Sequence, residues 1–252
     1  MLNLKNQLTH TNPSGDTINY HDASHSYLTE DLSPLKSVTR IVSNSFPKFD
    51  SEKISKRYAE KHNLSQTDVL QKWADKAKRG REWGDKMHFY AECLLKDHIC
   101  PPPENNKEKA YYSGLEDFVK KLKKRYTIIW VEKVLFSIKY GIAGTLDVLL
   151  QDKYNQNRYV LGDWKSNEQI RKTNQFQNGL GELEHLDDCN FNHYSLQLNL
   201  YEWLIRKENY LVGFNGEDVI IDKKIIHITL PDPISMNCPD MQDEINYVLK
   251  NL

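Results

Sequence analysis

The stretch Gly141–Ser166, GIAGTLDVLLQDKYNQNRYVLGDWKS, limits what this chain can fold into more than any other. Two apolar runs, Ala143–Leu150 and Tyr159–Trp164, flank a polar tip, Asp152–Arg158, which is the pattern of a β-hairpin. With the loop centred near Asn155, each step along one strand is matched by a step along the other, and Asp147 falls opposite Asp163. Opposed residues of an antiparallel pair have Cβ atoms roughly 4.5–5.5 Å apart. Two carboxylates at that separation repel unless a cation offsets them. Lys165 lies two residues beyond Asp163, so the strand period points it to the same face. Leu146, Val148, Leu149, Val160 and Leu161 make both strands apolar on both faces, where unpaired acids are costly. On surface strands a lysine bridged to two aspartates would suffice. In buried ones the trio makes a seat for a divalent cation, with the lysine beside a water or a phosphate oxygen.

The rest of the composition narrows the class. At 252 residues, 39% hydrophobic and 27% charged, the chain can bury a substantial core. No run approaches the roughly 20 apolar residues of a membrane span. The start, MLNLKNQLTH, lacks the apolar centre of a secretory signal, so an intracellular, cytoplasmic protein is expected. The formal net charge of −1 gives no overall attraction to nucleic acid, leaving local patches such as Lys72–Lys86 and Lys120–Arg125. The second patch reads as a solvated helix face. Cys93, Cys100, Cys189 and Cys238 are scattered without a C-x-x-C pair, which argues against structural zinc and disulfides. No G-x-x-x-x-G-K-[ST] loop is present, so no ATP site is expected.

In chain order, the first dozen residues look polar and frayed, and Asp16–Leu28 alternates as a short hairpin turning at Asp22-Ala-Ser. Ser37–Phe46 reads as an apolar helix. Ser51–Asp97 reads as helical, capped at Ser51 and Ser65 and broken near Asn63 and Gly80, until Pro101-Pro-Pro ends it. Lys107–Tyr126 is a second helix with Tyr111, Leu115, Phe118, Leu122 and Tyr126 on one stripe. Ile128–Ile138 is a strand leading into the hairpin. Asn167–Asn192 is a long loop or broken helix, Asn192–Asn209 a helix, Asp218–Ile221 and Lys224–Leu230 two strands, and Asp240–Leu252 a closing amphipathic helix. One domain, 1–252, with a helical insertion or wall at about 51–126, is the expected organisation.

Three further elements bear on the chemistry. Gly84 and His88 are one helical turn apart, so the glycine would let another backbone or a nucleic-acid strand approach the imidazole. A lone histidine is more often structural. Gln197 and Tyr201 share a helix face, where the amide could bond the lysine or a phosphate oxygen and the phenol reach the same cleft. Glu132, on the strand entering the hairpin, could hold a second metal or water, or form a structural ion pair.

Gly144-x-x-Asp147 followed by Asp163-x-Lys165 resembles the core of the PD-(D/E)xK nuclease superfamily. With Gly84-x-x-x-His88 before it and Gln197-x-x-x-Tyr201 after it, the order resembles the RecB-like branch, which includes CRISPR-associated adaptation nucleases and the mitochondrial genome maintenance exonuclease. SVT…FPKFD, from Ser37 to Asp50, is similar to phage and large-virus members. The resemblance implies an α/β, restriction-endonuclease-like core with a central mixed β-sheet flanked by helices. It implies Mg²⁺ or Mn²⁺, one or two ions, on Asp147, Asp163, His88 and the backbone carbonyl of Trp164, with Glu132 as an additional candidate. Asp147, Asp163, Lys165, Gln197 and Tyr201 are the implied catalytic set, hydrolysing phosphodiester bonds with Lys165 beside the attacking water. Relatives with an iron–sulfur cluster carry closely spaced cysteines, which this chain lacks.

Trp73, Trp83, Phe89 and Tyr90 are interleaved with lysines and arginines, so Ser51–Asp97 could wall a channel for single-stranded DNA. Arg79, Arg81, Trp83, Lys86 and Ser166 are the candidate DNA contacts. The expectation is a metal-dependent DNA exonuclease of replication, repair or recombination that prefers single strands and can work beside a helicase or similar partner. A flap or branch endonuclease, or a catalytically silent nucleic-acid-binding subunit, would carry the same motifs.

Overall fold

The computed structural model describes residues 7–21, 24, 26–213 and 218–252. Strands β1 (Gln7–Thr11), β2 (Thr17–His21) and β3 (Ser26–Thr29) form an antiparallel sheet. The β2–β3 hairpin matches the alternation in the sequence, although Asp22 and Ala23 of its turn fall outside the described residues. Gln7–Thr11 is a strand and not a frayed end. It adds to the edge of β2, whose Ile18 and Tyr20 are fixed by packing with Tyr27, Val134, Phe136 and Ala143.

A two-residue strand β4 (Lys36–Ser37) leads into α1 (Val38–Asn44), whose first turn is capped by the Ser37 hydroxyl accepting from the Arg40 N–H. Helix α2 (Ser51–His62) is capped by Asp50, one residue before the expected Ser51, and stops where Asn63 turns left-handed. Helix α3 (Gln66–Leu95) runs unbroken through Gly80, because a mid-helix glycine costs only about 1 kcal/mol. Helix α4 (Asn106–Arg125) starts on an Asn105 cap and ends on Lys123, Lys124 and Arg125, cations that suit a helix C-terminus.

Next come β5 (Tyr126–Ser137), β6 (Ile142–Asp152), β7 (Asn155–Lys165), α5 (Asn190–Lys207), β8 (Ile220–His227), β9 (Ile234–Asn237) and α6 (Gln242–Lys250). The second sheet runs β4-β6-β7-β8-β9, with β5 on the other edge of β6. The β4–β6 and β7–β8 pairs are parallel and the rest antiparallel, so the fold is α/β with a central mixed sheet and, among the described residues, six α-helices. One face packs on α1, α5 and α6, the other on α3 and α4. Asn167–Cys189 is a loop with one 3₁₀ turn at Gly181–Leu183.

Two further expectations need correction. The strands expected at Asp218–Ile221 and Lys224–Leu230 are the single strand β8. Its polar Asp222-Lys223 pair does not make a turn, because Asp222 is bridged by Arg158 and Lys223 is buried against Glu202. The hairpin tip is the two residues Lys153-Tyr154, not a loop centred on Asn155. An irregularity at Gln151/Asp152 then restores the expected register, with Val148 opposite Gly162 and Gln151 opposite Tyr159.

Strand β6 is paired to β5 from Ile142 to Leu146 and from Val148 to Asp152. Its other edge carries β4 at Ile142 and Ala143 and β7 from Val148 onward. Gly144–Asp147 lie in the interval between, facing no strand on that edge. The glycine is required there: a Cβ on Gly144 would sit 2.8 Å from Tyr201 Cε1 and 2.9 Å from Val38 Cγ2. The Tyr201 hydroxyl closes the gap by donating to the Thr145 carbonyl at 2.7 Å.

Candidate metal centre and the groove beside it

Asp147 ends this interval, and its Oδ2 accepts from the backbone N–H of Trp164 at 2.7 Å. Because N–H and C=O of one strand residue face the same side, the Trp164 carbonyl is also turned towards β6. One residue earlier, Asp163 is fully enclosed. Its Oδ1 accepts from Gln197 Nε2 at 3.0 Å, and its Oδ2 lies 2.6 Å from Lys165 Nζ. Burial lifts the Asp163 carboxyl to about 6, against the pull of Lys165 and with the charge of Asp147 adding to the rise. Burial disfavours the Lys165 ammonium, but Asp163 and Asp147 outweigh it and the lysine stays charged above its ordinary range.

Glu132 comes from β5, between the pairs Val131–Val148 and Lys133–Leu146, and is therefore across from Asp147. It has φ 52°, a left-handed conformation that costs a non-glycine residue about 1–3 kcal/mol. Burial and the charges of Asp147 and Glu92 push its carboxyl up to about 8.

His88 reaches the same point from α3, with Nδ1 3.6 Å from Asp147 Oδ2. One turn before it, Gly84 lies beside the end of β7, where an added Cβ would make an ordinary contact with Ser166 Oγ at 3.4 Å, so the approach does not itself demand a glycine. His88, Glu132 and Asp147 each offer a ligand atom, all within 4.8 Å of one another. Two carboxylates, one of them shifted upward by burial and by the charge of the other, beside an imidazole, fit a divalent cation taking oxygen and nitrogen donors.

The structure thus gathers His88, Glu132 and Asp147 into one group that could hold a metal ion and leaves Asp163 beside it, engaged by Lys165 and Gln197. The Gln197 amide meets the aspartate and not the lysine. The Tyr201 phenol is buried and turned to the Thr145 carbonyl, and burial raises its pKa well above the ordinary range. Glu92 pairs with Lys96 at 2.6 Å.

Arg79, Arg81, Trp83 and Ser166 line a groove of about 1070 Å³ that also reaches His88 and Lys165. Lys86 does not line it, being held by Glu108 at 2.8 Å and Glu104 at 3.0 Å. Of the other aromatics on α3, Tyr90 is buried and stacked on Tyr112, Trp73 packs with Phe49 and Tyr58, and Phe89 is exposed. Lys123 and Arg125 of the second basic patch are taken up by Asp97 and Asp152, as a solvated helix end should be.

Lys76, within the expected patch Lys72–Lys86, also lines the groove, and sequence reasoning missed Lys107 and Arg171, which bring further cations to it. The three come from α3, α4 and the loop after β7, and nothing in their spacing announces that they meet. It also missed Tyr194, whose ring lies 4.6 Å from Lys165 Nζ and whose hydroxyl donates to Asn167 Oδ1 at 2.7 Å. Its position three residues before Gln197 on one helix face was the available signal.

Among the described residues no helix is long and apolar enough to cross a membrane. No protein-family profile matches the chain, and no curated protein does. Among solved structures, SSO0001 is 16% identical over 86% of this chain and 72% of that chain, with a TM-score of 0.31. A candidate exonuclease from Eubacterium rectale is 10% identical over 81% of this chain and 66% of that chain, with a TM-score of 0.33.

Proposed function

We propose that the chain is a divalent-metal-dependent DNA nuclease with a PD-(D/E)xK, restriction-endonuclease-like core, in which α3 and α4 belong to one nuclease domain as the wall beside the site. The observation that carries this reading is the meeting of His88, Glu132 and Asp147 within 4.8 Å, next to the Asp163–Lys165 pair at 2.6 Å. A cation held there would polarise the scissile phosphate and make the attacking water more acidic. His88, Glu132 and Asp147 would hold it, with Asp163 and the Trp164 carbonyl facing the same space. Gln197 fixes the Asp163 carboxylate. Lys165, kept as an ammonium, orients the water and offsets the negative charge that builds on the phosphate oxygens. Tyr201 acts through the backbone at Thr145, keeping the interval before Asp147 in shape.

The groove supports a single-stranded substrate entering past Arg79, Arg81 and Ser166, and an exonuclease mode follows if the strand is threaded by its end. Among the described residues no helix-turn-helix accompanies the site, so cleavage is expected to tolerate any base. Such an enzyme would serve replication, repair or recombination inside the cell, beside whatever unwinds the duplex.

The test is incubation of the protein with end-labelled linear and with circular single-stranded DNA, in Mg²⁺, Mn²⁺ or EDTA, next to Lys165→Ala. Trimming of the linear strand by wild type alone, only with metal, is the expected result. Cleavage of neither substrate, or equal activity of the variant, overturns the nuclease reading. Efficient cutting of the circle overturns the exonuclease mode.

A further inference from the structure

Beside the metal centre the groove carries a second structured feature. Trp83 lies on its wall, braced edge-on by Tyr111 with ring centroids 5.0 Å apart. The ammonium of Lys107 sits 4.1 Å from the Trp83 ring centroid and 6.0 Å from that of Tyr111. A cation over an indole face occupies the place that a flat, electron-poor ring would take in a stack. The surroundings are cationic although the whole chain carries a formal charge of −1. Arg79, Arg81 and Arg171 line the groove with no acidic side chain in ion-pair distance among the described residues. The one acid on the lining, Glu168, is bridged to Lys76 at 2.9 Å. Cations without partners call for a polyanion, and an indole with a displaceable cation on its face calls for a base.

We propose that Trp83 is a stacking platform for one nucleobase, with Lys107 holding the base's place in the free protein and moving to a backbone phosphate when a strand enters. The inference rests on the nuclease reading for its biological setting, but the binding it describes requires no cleavage. It makes the groove selective for unpaired strands, because a base inside a duplex already has both faces covered and cannot lie on an indole. It is indifferent to base identity, since every base has a π-face.

The experiment is done in EDTA, where no metal-dependent cleavage occurs. The full chain is titrated with oligo(dT) of about twelve nucleotides, with the same backbone carrying abasic spacers, and with a duplex of that length. Affinity is read from anisotropy of the labelled strand, contact from tryptophan fluorescence. Oligo(dT) should bind about 10-fold more tightly than the abasic strand. It should quench a component of fluorescence that Trp83→Phe removes, the other four tryptophans serving as internal reference. Trp83→Ala should bind oligo(dT) no better than the abasic strand. Lys107→Met should keep the quench and lower the salt dependence by about one ion. If wild type binds oligo(dT) and the abasic strand equally, prefers duplex, or binds none of the three, the proposal is overturned. It is also overturned if Trp83→Phe, folded by circular dichroism, retains the full quench. Cleavage in Mn²⁺ without base discrimination overturns this inference alone. Base discrimination without cleavage overturns the nuclease reading alone.

Discussion

The backbone N–H of Trp164 donates to the carboxylate of Asp147 at 2.7 Å, so the strand that carries Asp163 and Lys165 also aims the acid of its neighbour. Asp147→Asn preserves an oxygen to accept that bond but removes the charge that balances a cation. We expect cleavage to fall at least about 100-fold and Mn²⁺ binding, measured by calorimetry, to weaken in step. The metal-free variant should melt no lower than wild type, because a charge repelling Glu132 is gone. A drop of many degrees in chelator would show that Asp147 is structural first.

Glu132 gives the metal-free protein a defined pH dependence. Its carboxyl is at about 8 in the fold against 4.5 in a free chain, so the folded state binds the proton more tightly. The contribution of Glu132 to stability in EDTA is therefore fully present below about 4.5 and is lost as pH rises through about 8. Asp163, raised to about 6, adds to the decline in the same direction. Thermal melts across this range should show the fall. Glu132→Gln should flatten it, and a melting temperature that rises with pH in chelator would contradict it.

Gln197 is the donor that keeps the enclosed Asp163 oriented. Replacing it with Met leaves Oδ1 without its amide at a cost of about 1–3 kcal/mol in stability. Turnover should fall by about 10- to 100-fold with little change in strand affinity, since the residue does not line the groove. Equal losses in affinity and turnover would count against this assignment.

Gly144→Ala tests the fit between β6 and α5. The new methyl would meet the ring of Tyr201 and Cγ2 of Val38 inside 3 Å, both anchored in the core. Overpacking of this kind costs about 1–3 kcal/mol, readable in urea melts. The loss should shrink in the double variant Gly144→Ala with Val38→Ala, which makes room on one side.

The hairpin and its register were legible in the sequence because a period of two leaves few ways to bury Leu146, Val148, Leu149, Val160 and Leu161 together. His88 and Gln197 were legible only through the resemblance of their spacing to known nucleases. Glu132 was ambiguous for a physical reason: its backbone leaves the ordinary strand region, and no local pattern marks a strained residue in a run of good strand formers. The meeting of Lys76 with Lys107 and Arg171 on one bank of the groove was invisible, because exposed cations obey no periodicity and these come from α3, α4 and the loop after β7. Lys86 showed the reverse. It sits in a basic run, yet Glu104 and Glu108, some twenty residues away, claim it.

The interval Gly144–Asp147, where β6 lacks a neighbour on one side, leaves a notch in an otherwise continuous sheet. A sheet edge inside a protein usually has to be hidden; here the opening ends at Asp147, where His88 from α3 and Glu132 from β5 converge on it. Anything that bridges them also fastens β5, β6 and α3 to one another beside the interval where β6 lacks a neighbour. Occupancy of the centre should therefore be readable far from any chemistry, as slowed amide exchange along both sides of the notch.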